Sequence, residues 1–415
     1  MYYRIQYLSM LRACAFSAST VSIRRCLLPS FFTVTCLNRG GCFISSCTVA
    51  ASPATTARKP AFRMEHENTY VTEILDGNKV TIRMAVPEKQ QDDQTYLHDT
   101  AAAQQSSPAK SNGSGVPETV LQYEKQMRKI QAADRAGAPV NAKDHLHVIY
   151  EDEHLVVVDK PSGVLCVPGV NNNPSLLTVV FETYGNESNA MDSMIVHRLD
   201  MDTSGLVVFA RTNASLRALH ESFRERRVSK SYEALLCGHL RYDEGVIELP
   251  LQRDHRYPPF MRVSTPQSEL EAAIVVKDLQ HNGWKKLVKK RPKKSQTAFK
   301  VLSRELYAEK YPVSRVQYSP VTGRTHQLRV HSAAIGHPIV ADPAYGVYGE
   351  ACANGGFGEA YMDALSPRRA TVALQLDIHD AIRAKGQCMC LHAKELSFSH
   401  PITGKEMSFV APPPF

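Results

Sequence analysis

The feature that most constrains the fold is a series of short apolar runs that begins near residue 145 and continues almost to the end of the chain. Residues 147–151 (HVIYE) and 154–159 (HLVVVD) are rich in β-branched side chains, and Asp152 and Glu153 between them predict a hairpin turn. Residues 206–211 (LVVFAR) are apolar enough for a buried strand. Further strand candidates are residues 231–237, 245–251, 296–302 and 314–318, followed by a final hairpin over 396–410.

Helical signals are fewer than strand signals in this region. One helix is expected to begin at Asn173-Pro174 and to end at Gly185, and another to begin at Asn213, because Asn is a good N-cap and Pro suits the first turn. Residues 326–335 predict a third helix. Since few strands are joined by a helix of crossover length, we predict an α+β fold with a mixed, mostly antiparallel β-sheet flanked by helices and loops.

Charge is distributed unevenly along the 415 residues. The chain has 49 Lys and Arg against 41 Asp and Glu, but eight of the basic residues and no acidic residue precede Glu65. An acid-free, Arg-dotted stretch rich in Ser and Thr is typical of an organelle transit peptide, so a mitochondrial or plastid address is expected. The alternatives are a disordered tail on a cytoplasmic or nuclear protein, or a start codon assigned too far upstream.

The expected domain organisation follows from these shifts in composition. Residues 1–63 are predicted to be a disordered leader, residues 64–143 a polar extension and linker, and residues 144–415 the folded domain. Residues 92–117 could bury almost no apolar surface, whereas residues 118–136 are expected to form one charged helix. No apolar run reaches about 18 residues, so no membrane span is predicted.

The cysteines indicate neither a disulfide framework nor a metal site. Five of the ten lie in the first 63 residues, and the other five have no regular spacing. Cys388 and Cys390 are separated by a single residue and have no second pair nearby. We therefore expect reduced thiols and no bound zinc.

A strongly basic run interrupts the apolar pattern. Residues 284–294 (WKKLVKKRPKK) contain seven cations and no acid, so they are expected to loop out of the fold as an insertion spanning about 281–295. One hypothesis is that the run tethers RNA, because each phosphate that a cation neutralises releases counterions. The alternatives are a solvated loop or a nuclear-type basic signal.

Two stretches contain groups suited to catalysis. In residues 195–211 (IVHRLDMDTSGLVVFAR), Asp200 lies where the chain enters a buried strand, although a turn-capping role explains the carboxylate equally well. In residues 320–336 (PVTGRTHQLRVHSAAIG), Arg329 falls early in a predicted helix and faces back toward the sheet edge. A solvated or phosphate-contacting helix end is the alternative for Arg329, and a core or rim tyrosine is the default for Tyr232.

Together these stretches resemble the RluA-like family of RNA pseudouridine synthases. The resemblance rests on HRLDMDTSGLVVFAR, on the K-x-Y at residues 230–232 and on GRTHQLRVHSAAIGHPIVADPAYG at residues 323–346. The entry DKPSGVLCVPG at 159–169 and the terminal LHAKELSFSHPITGKEMSFVAPPP at 391–414 also fit, so that the resemblance covers about residues 147–413. It implies the pseudouridine synthase fold and the isomerisation of uridine in tRNA or rRNA, without cofactor or metal, by a monomer that binds no membrane.

The resemblance also implies roles for individual residues. Asp200 corresponds to the catalytic aspartate, and Arg329, rather than Arg324, corresponds to its guanidinium partner. Tyr232 corresponds to the active-site tyrosine that packs on the base and is a candidate to take a proton during the rearrangement. The target nucleotide must be flipped out of its stack, and Arg198 corresponds to the residue that fills the gap. The other expected RNA contacts are Lys160, Lys230, Arg324 and His326. His197 is expected to hold the loop rather than to act as a base.

The chain departs from many members of this family in its N-terminal region. No stretch has the pattern of the small RNA-binding S4 domain, although residues 64–143 could contain a degenerate version. The rival to an enzyme is a catalytically silent RNA-binding protein on the same fold. A zinc deaminase is excluded, because the chain contains neither H-x-E with P-C-x-x-C nor an equivalent ligand set.

Overall fold

The computed structural model describes residues 62–63, 71–76, 79–84, 120–121, 123–125, 127, 140–169, 172–185, 190–358 and 369–415. The predicted leader, apart from residues 62–63, and the predicted linker at 92–117 lie outside these ranges. No helix in the described ranges is long and apolar enough to cross a membrane.

Strands and helices alternate irregularly along the described chain. The strands are β1 (Phe62–Arg63), β2 (Val71–Asp76), β3 (Lys79–Met84), β4 (His147–Glu151), β5 (Leu155–Lys160), β6 (Ser204–Ala210), β7 (Ser229–Cys237), β8 (Glu244–Glu248), β9 (Leu251–Arg253), β10 (Met261–Val263), β11 (Thr297–Tyr307), β12 (Tyr311–Pro320), β13 (Leu391–Ser399) and β14 (Glu406–Val410). The helices are α1 (Ala142–His145), α2 (Leu176–Tyr184), α3 (Asn213–Arg224), α4 (Pro266–Asp278), α5 (Asn282–Val288), α6 (Gln327–Ala334) and α7 (Val372–Ala384).

One large mixed sheet organises the domain. Its strand order is β1-β2-β3-β8-β11-β12-β7-β13-β6-β5-β4, with β14 paired to β13, while β9 and β10 form a separate ribbon. Among the described strands, β3 with β8 and β6 with β13 pair in parallel, and the other pairs are antiparallel. The predicted α+β class with a mostly antiparallel sheet is therefore confirmed.

The centre of the sheet is buried on both faces because β5 and β6 contain continuous apolar stretches at 155–158 and 206–210. Side chains alternate between the two faces of a strand. Val156 and Val158 of β5 accordingly pack with Leu176 of α2 on one face. Leu155 and Val157 pack with Leu219 of α3 on the other. This double burial explains why both strands read as continuous apolar runs and not as alternating ones.

The helix boundaries differ slightly from those predicted. Ser175, not Asn173, caps α2, and Thr212, not Asn213, caps α3, since these hydroxyls accept hydrogen bonds from backbone N–H groups three residues later. The third predicted helix, α6, begins after His326 as expected. The sequence did not predict α1, α4, α5 or α7.

The basic run does not loop out, contrary to the expectation from its charge. Its first part forms α5, and Trp284 and Val288 are buried. They pack against Val275 and Leu279 near the end of α4, and against Val120, Tyr123 and Met127 of a helical stretch in the N-terminal region. The apolar positions of the run face this cluster, and the cations project from the other side.

The expected boundary at residue 144 also lies too far along the chain. β2 and β3 form a hairpin, and β3 pairs with β8 over five residues, from Lys79 opposite Glu244 to Arg83 opposite Glu248. Val80 and Ile82 are buried in the same core as Ile247. The described parts of 64–143 therefore belong to the folded domain, and they do not form a separate extension.

Candidate active site

Four parts of the chain converge on one cavity of about 620 Å³. They are the loop that leads into β6, the end of α3, strand β7, and the turn between β12 and α6. The loop is held close because β6 pairs with β13, where Gly205 (φ +111°) lies opposite Ala393. A Cβ at Gly205 would lie 2.4 Å from the carbonyl oxygen of Ala393, so glycine is required for this close approach.

Asp200 lies in the cavity wall and faces a buried guanidinium. Its Oδ2 is 3.5 Å from Nη1 of Arg329, and Arg329 is only 4% exposed whereas Asp200 is 26% exposed. Nearby Asp202 lies 4.0 Å from Nη2 of the same side chain. The carboxylate is thus open to the cavity and supported from behind by a positive charge.

Asp342 fixes the orientation of that guanidinium. Nε and Nη2 of Arg329 donate to the two carboxylate oxygens of Asp342 at 2.9 and 2.7 Å. Asp342 is fully buried, and its Oδ1 also accepts from the backbone N–H groups of Ala344 and Tyr345. Burial alone would lower the pKa of Arg329, but Asp342 and Asp200 outweigh burial and raise it. The guanidinium therefore stays charged and points its free edge at Asp200.

His326 approaches Asp200 from the other side. Its Nε2 lies 3.9 Å from Oδ1 of Asp200, and its Nδ1 is 2.9 Å from the hydroxyl of Tyr345. His326 adopts a left-handed backbone conformation (φ +55°) immediately before α6, which turns the ring into the cavity. Burial lowers the pKa of His326, so the ring is neutral at pH 7.

Tyr232 contributes an aromatic wall to the cavity. On β7 it pairs with Tyr318 of β12 and with Ala393 of β13, and it packs between two clusters of the core. Burial, together with the charge of Asp200, raises the pKa of Tyr232. The phenol is therefore protonated at neutral pH and presents a neutral ring.

Most charged groups around the cavity are cationic. Asp200 is its one carboxylate among the described lining residues, whereas six Lys and Arg side chains take part: Arg198, Arg224, Arg226, Lys230, Arg324 and Arg329. Arg198 is exposed, and Lys230 lies over the ring of Phe223 with Nζ 5.6 Å from the centroid. A concave surface of this composition attracts anions.

Lys160 does not lie where an RNA phosphate contact requires it. The side chain is fully buried, and Nζ donates to the backbone carbonyls of Pro161, Val164 and Met201 at 2.7, 2.7 and 2.8 Å. Burial lowers the pKa of Lys160 to about 8. All three N–H groups of Lys160 therefore donate to backbone carbonyls, two in the loop after β5 and one directly after Asp200. The expected contact of Lys160 with an RNA phosphate is wrong.

His197 and Arg324 also line the cavity. Nε2 of His197 accepts from the backbone N–H of Val208 at 3.2 Å, and its ring stacks on Phe223. His197 therefore holds the loop. Arg324 lines the cavity, but its Nε donates to the carbonyl of Lys294, so Arg329 and not Arg324 pairs with Asp200.

The sequence reading missed Asp342 and Tyr345 as site residues. The signal was present, because the DPAY at residues 342–345 is typical of a turn in which Asp accepts from backbone N–H groups. The sequence did not show that Asp342 lies next to Arg329, because the two residues are separated along the chain. The packing of α6 against the following turn brings them together.

Comparison with known proteins identifies the class to which this site belongs. Residues 154–334 match the family described as RNA pseudouridylate synthase. The chain is 36% identical over 277 residues to the dual-specificity RNA pseudouridine synthase RluA of Pasteurella multocida, covering 65% of this chain and 94% of that protein. It is 33% identical over 272 residues to the protein of the same name from Escherichia coli strain K12, covering 65% and 94%. Among solved structures it is similar to human RNA Pseudouridylate Synthase Domain Containing 1, at 27% identity with a TM-score of 0.43, over 66% of this chain and 85% of that chain.

The class is that of the enzymes that isomerise uridine within RNA. The chain belongs to the RluA-like family of RNA pseudouridine synthases, and it is accordingly an isomerase whose substrate is RNA.

Proposed function

We propose that this cavity isomerises specific uridines of tRNA or rRNA, with Asp200 as the catalytic carboxylate. The observation that carries the proposal is the partly exposed carboxylate of Asp200 against a buried, charged Arg329. The guanidinium orients this carboxylate toward the cavity, where it can attack the nucleotide or stabilise charge at C1′. The relatives named as dual-specificity enzymes support more than one RNA substrate.

The reaction rearranges bonds within one nucleotide. The bond between N1 and C1′ breaks, the uracil turns within the cavity, and C5 bonds to C1′; C5 loses a proton and N1 gains one. Because the pKa of Tyr232 is raised, its phenol keeps its own proton, which favours packing on the base over proton abstraction. Arg329, 3.5 Å from Oδ2 of Asp200, holds the carboxylate in position while the base turns.

Entry of the base requires the nucleotide to leave its stack. Arg198 is exposed and lies two residues before Asp200, and it would occupy the gap in the RNA. Lys230 and Arg324, which line the cavity, would bind the neighbouring phosphates. His326, held by Tyr345, would contact the nucleotide from beside Asp200.

The acid-free leader supports an organellar site of action, in the mitochondrion or a plastid. The target RNA would then be an organellar tRNA or rRNA. This part of the proposal rests on the composition of residues 1–63 alone.

One experiment tests activity, target and location together. Pseudouridine is mapped in total and organelle-enriched RNA from cells that lack the gene, after complementation with wild type, Asp200→Asn or Asp192→Asn. Asp192 is an exposed aspartate eight residues before Asp200, so it provides the same chemical change outside the cavity. We expect wild type and Asp192→Asn to restore the same sites and Asp200→Asn to restore none. If Asp200→Asn restores them equally, Asp200 is not the catalytic group; sites confined to cytosolic RNA would refute the organellar location.

A further inference from the structure

We propose that six exposed cations beside the cavity form a second RNA-binding site, which holds the RNA backbone outside the flipped nucleotide. These residues, here called the basic ridge, are Lys286, Lys289, Lys290, Arg291, Lys293 and Lys294. The inference rests on the proposed function, because it assumes that the cavity receives a nucleotide of an RNA. It concerns a part of the surface that the isomerisation itself does not use.

The first half of the basic ridge is attached to a small helical platform. Trp284 and Val288 on the inner face of α5 are 6% exposed and pack against Leu279 of the α4–α5 connection. Tyr123 from the N-terminal region is buried in the same cluster and is 1% exposed. Because the apolar face is packed in this way, Lys286 on α5 and Lys289 at its end are left exposed to solvent.

The second half of the basic ridge is attached to a strand. The backbone N–H of Leu251 donates to the carbonyl of Lys293 at 3.0 Å, and the N–H of Lys293 donates to the carbonyl of Leu251 at 2.8 Å. The next residues enter the core, where Ser295 is buried. The backbone of the ridge is therefore ordered while its side chains stay in solvent.

The ridge also adjoins the cavity. Nε of Arg324, a cavity-wall residue, donates to the carbonyl of Lys294 at 3.2 Å. Val321 and Thr322, also in the wall, donate from their backbone N–H groups to the carbonyl of Gln296. Cations of the ridge and of the cavity rim thus form one continuous surface.

The chemistry of this surface fits a phosphate backbone. Within the described part of the chain, none of the six cations forms an ion pair with a carboxylate. The six cations fall within nine residues, 286–294, so several of them can contact the phosphates of one RNA strand. Their binding would release counterions and so make affinity depend on salt.

The test compares two triple variants with the same loss of charge. Lys289→Gln, Lys290→Gln and Arg291→Gln together neutralise the centre of the ridge. The control combines Lys310→Gln, Lys385→Gln and Lys405→Gln, which are exposed. Lys310 lies at the far end of the β11–β12 hairpin, about 30 Å from the end that adjoins the ridge, given about 3.3 Å per residue.

Binding of an unmodified tRNA transcript is measured as a function of salt in the Asp200→Asn background, where no product is expected. We expect the ridge variant to bind at least about tenfold more weakly at low salt and its slope of log K against log salt to be shallower by about 2. The control variant is expected to keep the slope of the parent protein. A third variant, Lys289→Arg with Lys290→Arg, should keep the slope of the parent protein, because a cation remains at each position.

The inference is overturned if the ridge variant keeps the parent slope, or if ridge and control variants change it equally. The ridge would then be a solvated surface or serve a protein partner. Since binding is measured without turnover, a failure of the isomerase proposal is separately visible, as RNA binding that depends on the ridge but yields no pseudouridine with the wild-type enzyme.

Discussion

At the scale of single residues, the geometry of the cavity depends on Asp342, a buried carboxylate that is not part of the cavity wall. Asp342 accepts from Nε and Nη2 of the Arg329 guanidinium and so directs Nη1 toward Asp200. A bidentate pair fixes a guanidinium more firmly than a single contact does. Asp200 is consequently held by charge at 3.5 Å while its oxygens stay open to a substrate.

Asp342→Asn should impair both the reaction and the fold. The new amide places an NH₂ donor against a guanidinium donor, so Arg329 loses one partner and moves toward Asp200. Loss of one partner of a buried ion pair costs about 3–5 kcal/mol of unfolding free energy, and a small misplacement of reacting groups costs about 10²-fold in kcat. Urea unfolding measures the free energy of unfolding, and turnover at saturating RNA measures kcat. Asp377→Asn, an exposed change of the same kind, is the control; equal kcat values for the two variants would contradict the role of Asp342.

At the scale of elements, the sequence predicted strands better than helices. β5 and β6 contain continuous apolar stretches, because both faces of each strand are buried, and such stretches predict strands directly from the sequence. α4 and α5 were missed because each buries only a narrow stripe, and because the second is mostly lysine outside that stripe. Their partner, the stretch around Tyr123, lies about 150 residues earlier, so no local pattern could reveal the contact.

The helical platform can be tested with a matched pair of Leu→Ala changes. Leu279 is 1% exposed and packs against Trp284, whereas Leu270 on α4 is 64% exposed. Leu279→Ala should lower the free energy of unfolding of the platform by about 2–5 kcal/mol, and Leu270→Ala should change it by less than about 0.5 kcal/mol. The chain has one tryptophan, Trp284, so its fluorescence during urea unfolding reports on this platform directly. Coincident Trp284 transitions in the two variants would show that the platform is not packed in this way.

At the scale of the whole molecule, the net charge of +8 says little about RNA binding. Residues 65–415 contain as many acidic as basic groups, 41 of each. The folded domain nevertheless places six cations at the cavity and six on the basic ridge, and within the described residues the cavity wall includes the single carboxylate Asp200. Local arrangement and not total charge is what a polyanion meets.

Buried histidines should make the stability of the folded domain fall in mild acid. Burial lowers the pKa of His197 to about 3 and those of His331 and His337 to about 4, against 6.5 for a free histidine. The neutral rings contribute stability above pH 6.5 that is lost as the pH falls toward 4, because only the unfolded chain takes up protons there. Each contributes on the order of 1 kcal/mol per pH unit.

This pH dependence can be measured from thermal unfolding between pH 7 and 5. The wild-type Tm should fall steadily over that interval. His331→Gln should flatten the fall, because one proton-linked group is gone, and exposed His220→Gln should leave it unchanged. A wild-type Tm that is constant from pH 7 to 5 would show that the histidines are not buried in the neutral form.

The sequence alone determined the class of fold, the family and the positions of Asp200, Tyr232 and Arg329, because those depend on local apolar runs and on short motifs. Only the tertiary structure decided that Asp342 holds Arg329, that Lys160 donates its hydrogen bonds to backbone carbonyls, and that Trp284 packs the basic run against the fold. The physical reason is the same in each case. Burial and partnership are properties of where distant segments meet, and a charged side chain has the same appearance in a sequence whether it ends in solvent or against a carboxylate.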